Sequence, residues 1–249
     1  MELQGRTALV TGGARGIGRE LTRLLVEQGC HVVALGRDPA SLEEVERSNW
    51  GMVTPWRVDL ADREAFEAAL RDLRGRWPDL SLVINNAGVQ AAADFVAGEA
   101  ADRLEDLRRE LAVNVEAVIA LSAAALPVLR TRSDAALVNI TSGLALAPKK
   151  SAPVYCASKA AVRTFTRALR YQCEDAAPHV RVVDVVLPLV DTDMTRGRGT
   201  GKIPPARAAS AIVAGLRRGR NEIHVGKAAL LPPLLRLAPS LAYRTLRNG

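Results

Sequence analysis

Short apolar runs alternate with segments of helical periodicity along nearly the whole chain. Runs rich in valine, leucine and alanine predict buried strands. Between them, apolar positions recur every three or four residues, as they do on one face of a helix. The strands are predicted near 6–11, 31–35, 52–58, 80–84, 135–141, 180–187 and 222–225. The helices are predicted near 16–28, 39–47, 62–76, 101–130, 152–175 and 206–218.

This alternation predicts an α/β fold, a doubly wound parallel sheet of about seven strands with helices on both faces. The 249 residues suit one domain, and no repeat, low-complexity tract or long linker divides them. We therefore expect residues 1–249 to form a single domain. Ligands of such sheets bind beyond the carboxyl ends of the strands. Gly12, Asn86, Ser142 and Pro188 each follow directly on a predicted strand.

A glycine-rich turn joins the first predicted strand to the first predicted helix. The chain reads TGGARGIG from Thr11 to Gly18. Glycines let the backbone approach a pyrophosphate, and the free N–H groups and dipole of a helix N-terminus favour its charge. The spacing differs from the common G-x-G-x-x-G, and a plain strand–turn–helix corner is the alternative.

Tyr155 and Lys159 lie four residues apart in YCASK, and Ser142 lies thirteen residues upstream. The four-residue spacing puts Tyr155 and Lys159 on one face of a helix. We expect the ammonium to lower the pKa of the phenol, which is ordinarily about 10, and so prepare it for acid–base chemistry. Ser142 would polarise the same substrate oxygen. Alone, Y-x-x-x-K is a weak signal, because both residues are common on amphipathic helices.

Five motifs in the same order make the chain resemble a single-domain short-chain dehydrogenase/reductase, from about residue 5 to about residue 195. TGGARGIG matches the glycine motif of that family, and NNAG, at 85–88, matches its next signature. Asn114 stands at the position of the catalytic asparagine, and Ser142, Tyr155 and Lys159 complete the tetrad. Pro188-Leu189 departs from the Pro-Gly that the family often has. The segment LPLVDTDMTRG is similar to the DltE-like oxidoreductases, a subgroup without a firm substrate.

The resemblance implies a Rossmann-type fold and hydride transfer between a nicotinamide cofactor and a carbonyl or alcohol. Tyr155 would be the general acid and base, and Ser142 would hydrogen-bond the reacting oxygen. Lys159 would hold the nicotinamide ribose, and Asn114 would keep a water in the proton path. The implied cofactor-binding residues are Gly12, Arg15, Gly16, Ile17, Gly18, Arg37, Asp59, Asn86, Ala87, Gly88, Tyr155, Lys159, Pro188 and Thr192.

For two of these residues the resemblance also implies a particular contact with the cofactor. Asp59 matches the family position that contacts the adenine ring, although a simple turn residue is the alternative. Thr192 matches the position that contacts the nicotinamide carboxamide.

The end of the second strand bears on the choice of cofactor. An acid about twenty residues beyond the glycine loop would bind the ribose 2′-OH of NAD. Gly36 stands there instead and Arg37 follows, so Arg37 and Arg15 could clamp the 2′-phosphate of NADP(H). Asp38 could pair with Arg37 or cap the helix that begins at Pro39, and we favour the cap.

Two further segments bear on the substrate. The stretch 189–205, with three glycines and paired prolines, predicts a mobile lid. The leucine-rich extension 228–249 predicts a turn-rich start and a helix near 239–247. It would pack beside the pocket, cross to a neighbouring subunit, or lie on a membrane surface, and we favour the first two.

The net charge of +7 raises nucleic acid or an anionic membrane as partners, but the arginines are spread along the chain. We expect a small-molecule carbonyl or alcohol substrate, no nucleic acid, no metal and no integral membrane segment. The nearly all-apolar AVIALSAAALPVL predicts burial partly against a symmetry mate, hence a homodimer or homotetramer. No leader precedes the first strand, so we expect a cytoplasmic protein. The rival class is a non-catalytic NADPH sensor.

Overall fold

One sheet forms the centre of the computed structural model, which describes residues 1–49 and 51–248. In this part of the chain the sheet has seven strands in the order β3-β2-β1-β4-β5-β6-β7, and every neighbouring pair is parallel. The strands are β1 Thr7–Thr11, β2 His31–Gly36, β3 Val53–Arg57, β4 Leu80–Asn85, β5 Ala135–Ser142, β6 Val180–Leu187 and β7 Glu222–His224. From β1 the chain first builds the sheet in one direction, through β2 and β3, and then in the other, beginning with β4. The switch point therefore lies between β1 and β4, and sheets of this kind bind dinucleotides at the switch point. The predicted α/β doubly wound fold is confirmed.

Helices connect the strands and cover both faces of the sheet. They are α1 Gly16–Glu27, α2 Pro39–Arg47, α3 Arg63–Arg71, α4 Leu73–Arg76, α5 Glu99–Asp102, α6 Leu104–Leu111, α7 Ala117–Leu129, α8 Pro153–Ala176, α9 Pro205–Arg217, α10 Leu231–Leu237 and α11 Pro239–Leu246.

Alternate residues of each strand enter two separate cores. In β1, Ala8 and Val10 pack with Leu21 and Leu25 of α1, whereas Leu9 packs on the opposite face. The opposite core draws on α7 and α8, with Leu121 and Leu169 among its members. Both faces of each central strand are apolar for this reason, which explains why the strands appear as continuous apolar runs.

Some predicted helices are interrupted. The helix predicted over 101–130 consists of α5, α6 and α7, with a π-helical turn at Ala112–Glu116 between the last two. The helix predicted over 62–76 breaks at Asp72 into α3 and α4. Apolar periodicity does not report such local changes of hydrogen bonding, because the side chains stay on one face.

The C-terminal extension contains one helix more than the sequence pattern predicted. The helix predicted near 239–247 is confirmed as α11, but the start of the extension also forms a helix, α10. Pro232 lies in the first turn of α10, where backbone N–H groups have no partner within the helix. The proline pair therefore begins this helix and does not prevent it.

By length and composition alone, the continuous helix Leu104–Leu129 is apolar enough to cross a membrane. In the structure, Ala117, Leu121, Ala125 and Leu129 are buried in the core that covers one face of the sheet. The apolar composition of the α7 portion is thus explained by packing on the strands.

Candidate functional site

The residues singled out in the sequence converge on one cavity of about 1050 Å³ at the carboxyl edge of the sheet. Its walls come from the loops after β1, β2, β3, β4, β5 and β6, together with α6, the start of α8 and the C-terminal extension. The predicted site residues that line it are Gly12, Arg15, Gly16, Ile17, Arg37, Asp59, Asn86, Ala87, Gly88, Ser142, Tyr155, Lys159, Pro188 and Thr192.

The glycine loop packs so closely that side chains would not fit. A Cβ built on Gly18 would lie 2.0 Å from the carbonyl oxygen of Gly12, so this residue has to be glycine. Gly12 and Gly16 adopt φ values of +64° and +51°, which favour glycine. The N-terminus of α1 consequently opens directly onto the cavity, in the arrangement that binds phosphate groups.

Thr11 fixes the loop after β4 against the glycine loop. Its hydroxyl accepts hydrogen bonds from the backbone N–H groups of Asn86 and Ala87, at 3.0 and 2.9 Å. The side-chain amide of Asn86 donates to the carbonyl of Thr11 at 2.9 Å. The NNAG segment is therefore held at the switch point of the sheet, where it forms one wall of the cavity.

Tyr155 and Lys159 share the face of α8 that meets the end of β5. The ammonium nitrogen of Lys159 lies 5.9 Å from the centre of the Tyr155 ring. It donates a 2.9 Å hydrogen bond to the carbonyl of Ile140, and the side chain is buried. Ser142 ends β5, and its hydroxyl accepts from the N–H of Leu144 at 3.1 Å. One cavity wall thus carries a phenol, an ammonium and a hydroxyl.

The electrostatics of this wall differ from the expectation that Lys159 lowers the pKa of Tyr155. Burial raises the pKa of Tyr155 to about 12, and the Ser142 side chain opposes this only in part. Burial also lowers the pKa of Lys159 to about 8. Desolvation is the largest cause of both shifts. The phenol is therefore protonated at neutral pH.

Asn114 lies in the π-helical turn and makes three side-chain hydrogen bonds. Its carbonyl oxygen accepts from the N–H of Val89 at 2.9 Å, and its amide donates to the Val89 carbonyl and the Ser158 hydroxyl at 2.9 and 3.1 Å. Asn114 is fully buried. Its side chain ties the loop after β4 to α8, which leaves little capacity for a water on the amide itself.

Glu110 is a residue that the sequence analysis missed. It is fully buried beside the site, and one carboxyl oxygen accepts from the N–H of Ala91 at 2.7 Å. The other oxygen has no hydrogen-bond partner among the described residues. Burial raises the pKa of this carboxyl, and Lys159 opposes the rise. Its place four residues before Asn114, on the same helix face, was the available signal.

At the far end of the cavity, Arg15 pairs with Asp38. The Arg15 guanidinium lies 2.6 Å from the Asp38 carboxylate and donates to the Ser41 hydroxyl at 2.9 Å. Asp38 also accepts from the N–H of Ser41, so the favoured role as a helix cap is confirmed. Arg37 is exposed on the same cavity wall. Ser41, which the sequence analysis did not single out, belongs to this group.

Asp59 is held by Arg109. Both carboxylate oxygens accept from the same Arg109 nitrogen, at 3.1 and 2.7 Å, and the backbone N–H of Ala61 donates to Asp59. Hydrogen bonds to Ala61 and Arg109 outweigh partial burial and lower the pKa of Asp59. Asp59 therefore closes a turn and lines the cavity, and its contact with an adenine ring stays a prediction.

The segment after β6 closes the cavity over the glycine loop. Thr192 lies against Gly16, whose built Cβ would come within 3.2 Å of the Thr192 methyl group. Val190 bridges to Ile203, and Lys202 donates to the carbonyl of Thr195 at 2.7 Å. The expected lid is thus a folded loop with its own hydrogen bonds.

The C-terminal extension supplies an apolar wall. Leu231 packs against Gly143, and a Cβ built on Gly143 would lie 2.7 Å from a methyl group of Leu231. The N–H of Lys150 donates to the carbonyl of Arg247 at 3.0 Å, which fastens the extension to the loop before α8. Its cavity-lining residues are Ala228, Leu230, Leu231, Leu234, Thr245, Leu246 and Asn248. The extension therefore packs on its own chain beside the pocket.

Comparison with known proteins agrees with this geometry. Residues 6–202 match the profile of the family described as short chain dehydrogenase. An uncharacterized oxidoreductase, DltE of Bacillus subtilis, is 35% identical over 229 residues, which cover 90% of this chain and 89% of that protein.

Two solved structures are similar over nearly the whole chain. A short chain dehydrogenase from Burkholderia cenocepacia in complex with NADP has a TM-score of 0.86 and 30% identity, covering 99% of each chain. A short chain dehydrogenase/reductase from Burkholderia phymatum in complex with NAD has a TM-score of 0.84 and 21% identity, covering 100% of this chain and 98% of that one. The second likeness concerns the fold alone.

The fold, the site and the family match agree. The fold is a seven-stranded parallel sheet with a glycine loop at its switch point, the site contains the Tyr155–Lys159 wall, and the family match covers residues 6–202. The chain belongs to the short-chain dehydrogenase/reductase family of oxidoreductases.

Proposed function

We propose that this protein is an NADP(H)-dependent oxidoreductase that interconverts a carbonyl compound and an alcohol, as a ketone or aldehyde reductase or a secondary alcohol dehydrogenase. The observation that carries the proposal is the convergence of a phosphate-binding glycine loop and the Tyr155, Lys159 and Ser142 side chains on one cavity. A dinucleotide and a small substrate would occupy this cavity together.

The cavity suits an extended dinucleotide. The N-terminus of α1 and the tightly packed Gly12–Gly18 turn would receive the pyrophosphate. Asn86 and Ala87 would line the middle of the site, and Thr192 would meet the nicotinamide end. When bound, the reduced cofactor would supply the hydride, which is chemistry that the protein side chains do not provide.

The protein's own part is to hold and move a proton at the reacting oxygen. Tyr155, whose pKa burial raises to about 12, is protonated at neutral pH and would donate that proton as the substrate oxygen gains charge. Ser142 would donate a hydrogen bond to the same oxygen. Lys159 would hold the ribose hydroxyls, and its ammonium would stabilise the phenolate left behind.

Asn114 would then act mainly by positioning. Because its amide already binds Val89 and Ser158, its side chain would hold the loop after β4 and α8 at a fixed separation. A water in the proton path would have to use the remaining lone pair of its carbonyl oxygen or a nearby backbone group.

The preference for NADP(H) would come from the group at the end of β2. Gly36 carries no acid for a 2′-OH, and Arg15, Arg37 and Ser41 offer donors for a 2′-phosphate. Arginine binds phosphate through charge-assisted, often paired hydrogen bonds. We further propose a single-domain cytoplasmic protein that forms a homodimer or homotetramer, with the exposed Leu111, Ile119 and Tyr171 near its interface.

Turnover tests the proposal against the alternative of an NADPH sensor. Purified protein with NADPH should oxidise the cofactor when a panel of aldehydes and ketones is added, as followed by the loss of reduced-nicotinamide absorbance. Binding of NADPH without turnover on any carbonyl would favour the sensor. Absence of NADPH and NADH binding would contradict both.

A further inference from the structure

Lys149 is a buried lysine that lines the cavity on the substrate side. It belongs to the loop between Ser142 and α8, and only 8% of its surface is exposed. Its neighbours Pro148 and Lys150 are both exposed. Of these three consecutive residues only Lys149 is buried, so the burial is not shared by its immediate neighbours. Most lysines lie at the protein surface, since burying an ammonium costs free energy unless something compensates for it.

Nothing in the described part of the chain compensates for this charge. The Lys149 ammonium has neither a hydrogen-bond acceptor nor an ion-pair partner there, although Lys202 and Lys159 both have acceptors. The positive charge of Arg198 lies close enough to add to the burial that lowers the pKa of Lys149. Arg198 itself donates to Gln90 at 2.9 Å.

The acidic residues that line the cavity are already paired. Asp38, Asp59 and Asp193 make ion pairs with Arg15, Arg109 and Arg196, respectively. Lys149 is thus a largely buried side chain whose ammonium opens to the cavity, and neither an ion-pair partner for it nor a free carboxylate is found in the described lining. Such a position favours an anion brought by a ligand.

Lys149 lies near the reacting end of the cavity. Its backbone N–H and carbonyl contact the Cys156 thiol at 3.4 and 3.9 Å, and Cys156 directly follows Tyr155. The loop that carries Lys149 therefore packs against the first turn of α8. The phosphate-binding elements, Gly12–Gly18 and Arg37, belong to the opposite half of the sheet, so the cofactor phosphates have a separate site.

Leucines form much of the lining on this side of the cavity, beside the polar residues Thr200, Lys227, Thr245 and Asn248. They come from the loop after Ser142, the segment after β6 and the C-terminal extension, namely Leu144, Leu189, Leu230, Leu231 and Leu234. A molecule that satisfies both features has an apolar body and one negative charge.

We propose that Lys149 binds the carboxylate of an apolar oxo acid or hydroxy acid, and so selects the substrate class of this oxidoreductase. The inference rests on the proposed function, because it places that anionic substrate beside Tyr155. The contrasting explanation is a lysine whose stem covers apolar surface while its ammonium reaches water through the cavity.

A matched pair of probes separates these explanations. A medium-chain aliphatic oxo acid and its methyl ester present the same ketone and the same chain but differ in charge. With NADPH, the wild-type enzyme should reduce the acid with the higher kcat/KM. Lys149→Met should lower kcat/KM for the acid by roughly 10- to 100-fold, the value of one charge-assisted hydrogen bond, and leave the ester within a few-fold. Lys149→Arg should retain the preference for the acid.

Controls distinguish failure of the inference from failure of the proposed function. Lys150→Met removes the adjacent exposed charge and should leave the preference intact. NADPH affinity of Lys149→Met should match the wild type, and its thermal stability should be equal or higher, because methionine removes an uncompensated charge and keeps most of the side-chain volume. Calorimetric binding of acid and ester to the NADPH complex gives a readout that does not need turnover.

Each outcome then decides one point. Equal affinity and equal turnover for acid and ester, or equal losses in the Lys149 and Lys150 variants, would overturn the role of Lys149. Preferential binding of the acid that depends on Lys149, but without turnover, would support the anion site and contradict the proposed reaction.

Discussion

Arg15 and Asp38 form an ion pair of 2.6 Å at the end of the cavity that lies beyond β2. The same carboxylate caps α2 through the N–H of Ser41, so its position is fixed by the helix it begins. A guanidinium proposed to bind a 2′-phosphate therefore has an intramolecular partner already. Arg37 has no such partner among the described residues and is the freer of the two cations.

Arg37→Asp should narrow or invert the preference for NADPH. Replacing a phosphate-binding cation by an acid removes a charge-assisted contact and adds repulsion, which should lower kcat/KM with NADPH by roughly 10- to 100-fold. The ratio of kcat/KM for the two cofactors with any reduced carbonyl measures it. Arg220→Asp, a change at an exposed arginine after α9, is the control. A wild-type ratio near one would contradict the assignment of the 2′-phosphate site.

Asp38→Ser should strengthen NADPH binding. Serine keeps an oxygen that can cap α2 but removes the negative charge that competes with the phosphate for Arg15. Since the ion pair is exposed and therefore weak, the gain should be roughly two- to five-fold in Kd. Titration of nicotinamide fluorescence measures it. An equal gain for NADH would show that the carboxylate does not act on the phosphate.

The sequence predicted the topology better than the electrostatics. The apolar runs between the helical segments are sufficient to predict β1 to β7, because a strand that is buried on both faces accepts few residues other than apolar ones. Motif spacing likewise led to the glycine loop and to Tyr155 and Lys159. The pKa of Tyr155 was expected to fall and instead rises, because the depth of burial depends on elements far apart in the chain.

The burial of Glu110 and two ion pairs of the site could not be predicted from the sequence, for a related reason. Glu110 looks like one more polar residue of an amphipathic helix until β4 and α8 pack around it. The ion pairs Arg15–Asp38 and Arg109–Asp59 join residues more than twenty positions apart, and only the folded chain brings them together.

Lys159 should make the stability of the cofactor-free protein depend on alkaline pH. Its pKa is about 8 when folded, against about 10.4 for an unfolded chain, so the unfolded state binds more protons between these values. Below pH 8 the buried charge lowers the free energy of unfolding by its full amount. This destabilisation disappears as the pH rises toward about 10.

Thermal unfolding of wild type and Lys159→Met across this range isolates the effect. The variant should gain most in relative stability below pH 8, and the gain should shrink toward pH 10. Lys150→Met, at an exposed site, should show no such trend. A difference between wild type and Lys159→Met that is constant with pH would show that burial does not lower the pKa of Lys159.

Deleting residues 228–249 should lower stability and change the range of substrates. The deletion removes α10 and α11, uncovers Gly143 and opens the leucine wall of the cavity. The milder Leu231→Ala should shift relative kcat/KM toward bulkier carbonyls with a smaller loss of stability, because it only enlarges the pocket. Unchanged substrate range in both would contradict a role in the pocket. Sedimentation of intact protein with anionic vesicles at physiological salt, lost on deletion, would favour the membrane alternative instead.

Tyr155→Phe shows whether Tyr155 transfers the proton, because this substitution removes only the hydroxyl. NADPH should bind with unchanged Kd, since Ser142, Lys159 and the glycine loop remain. The value of kcat for carbonyl reduction should fall by roughly 10²- to 10⁴-fold, the usual contribution of a positioned general acid. Parallel measurement of kcat and NADPH Kd for the wild type and this variant gives both quantities. Retention of most of the activity by Tyr155→Phe would show that Tyr155 is not the proton donor.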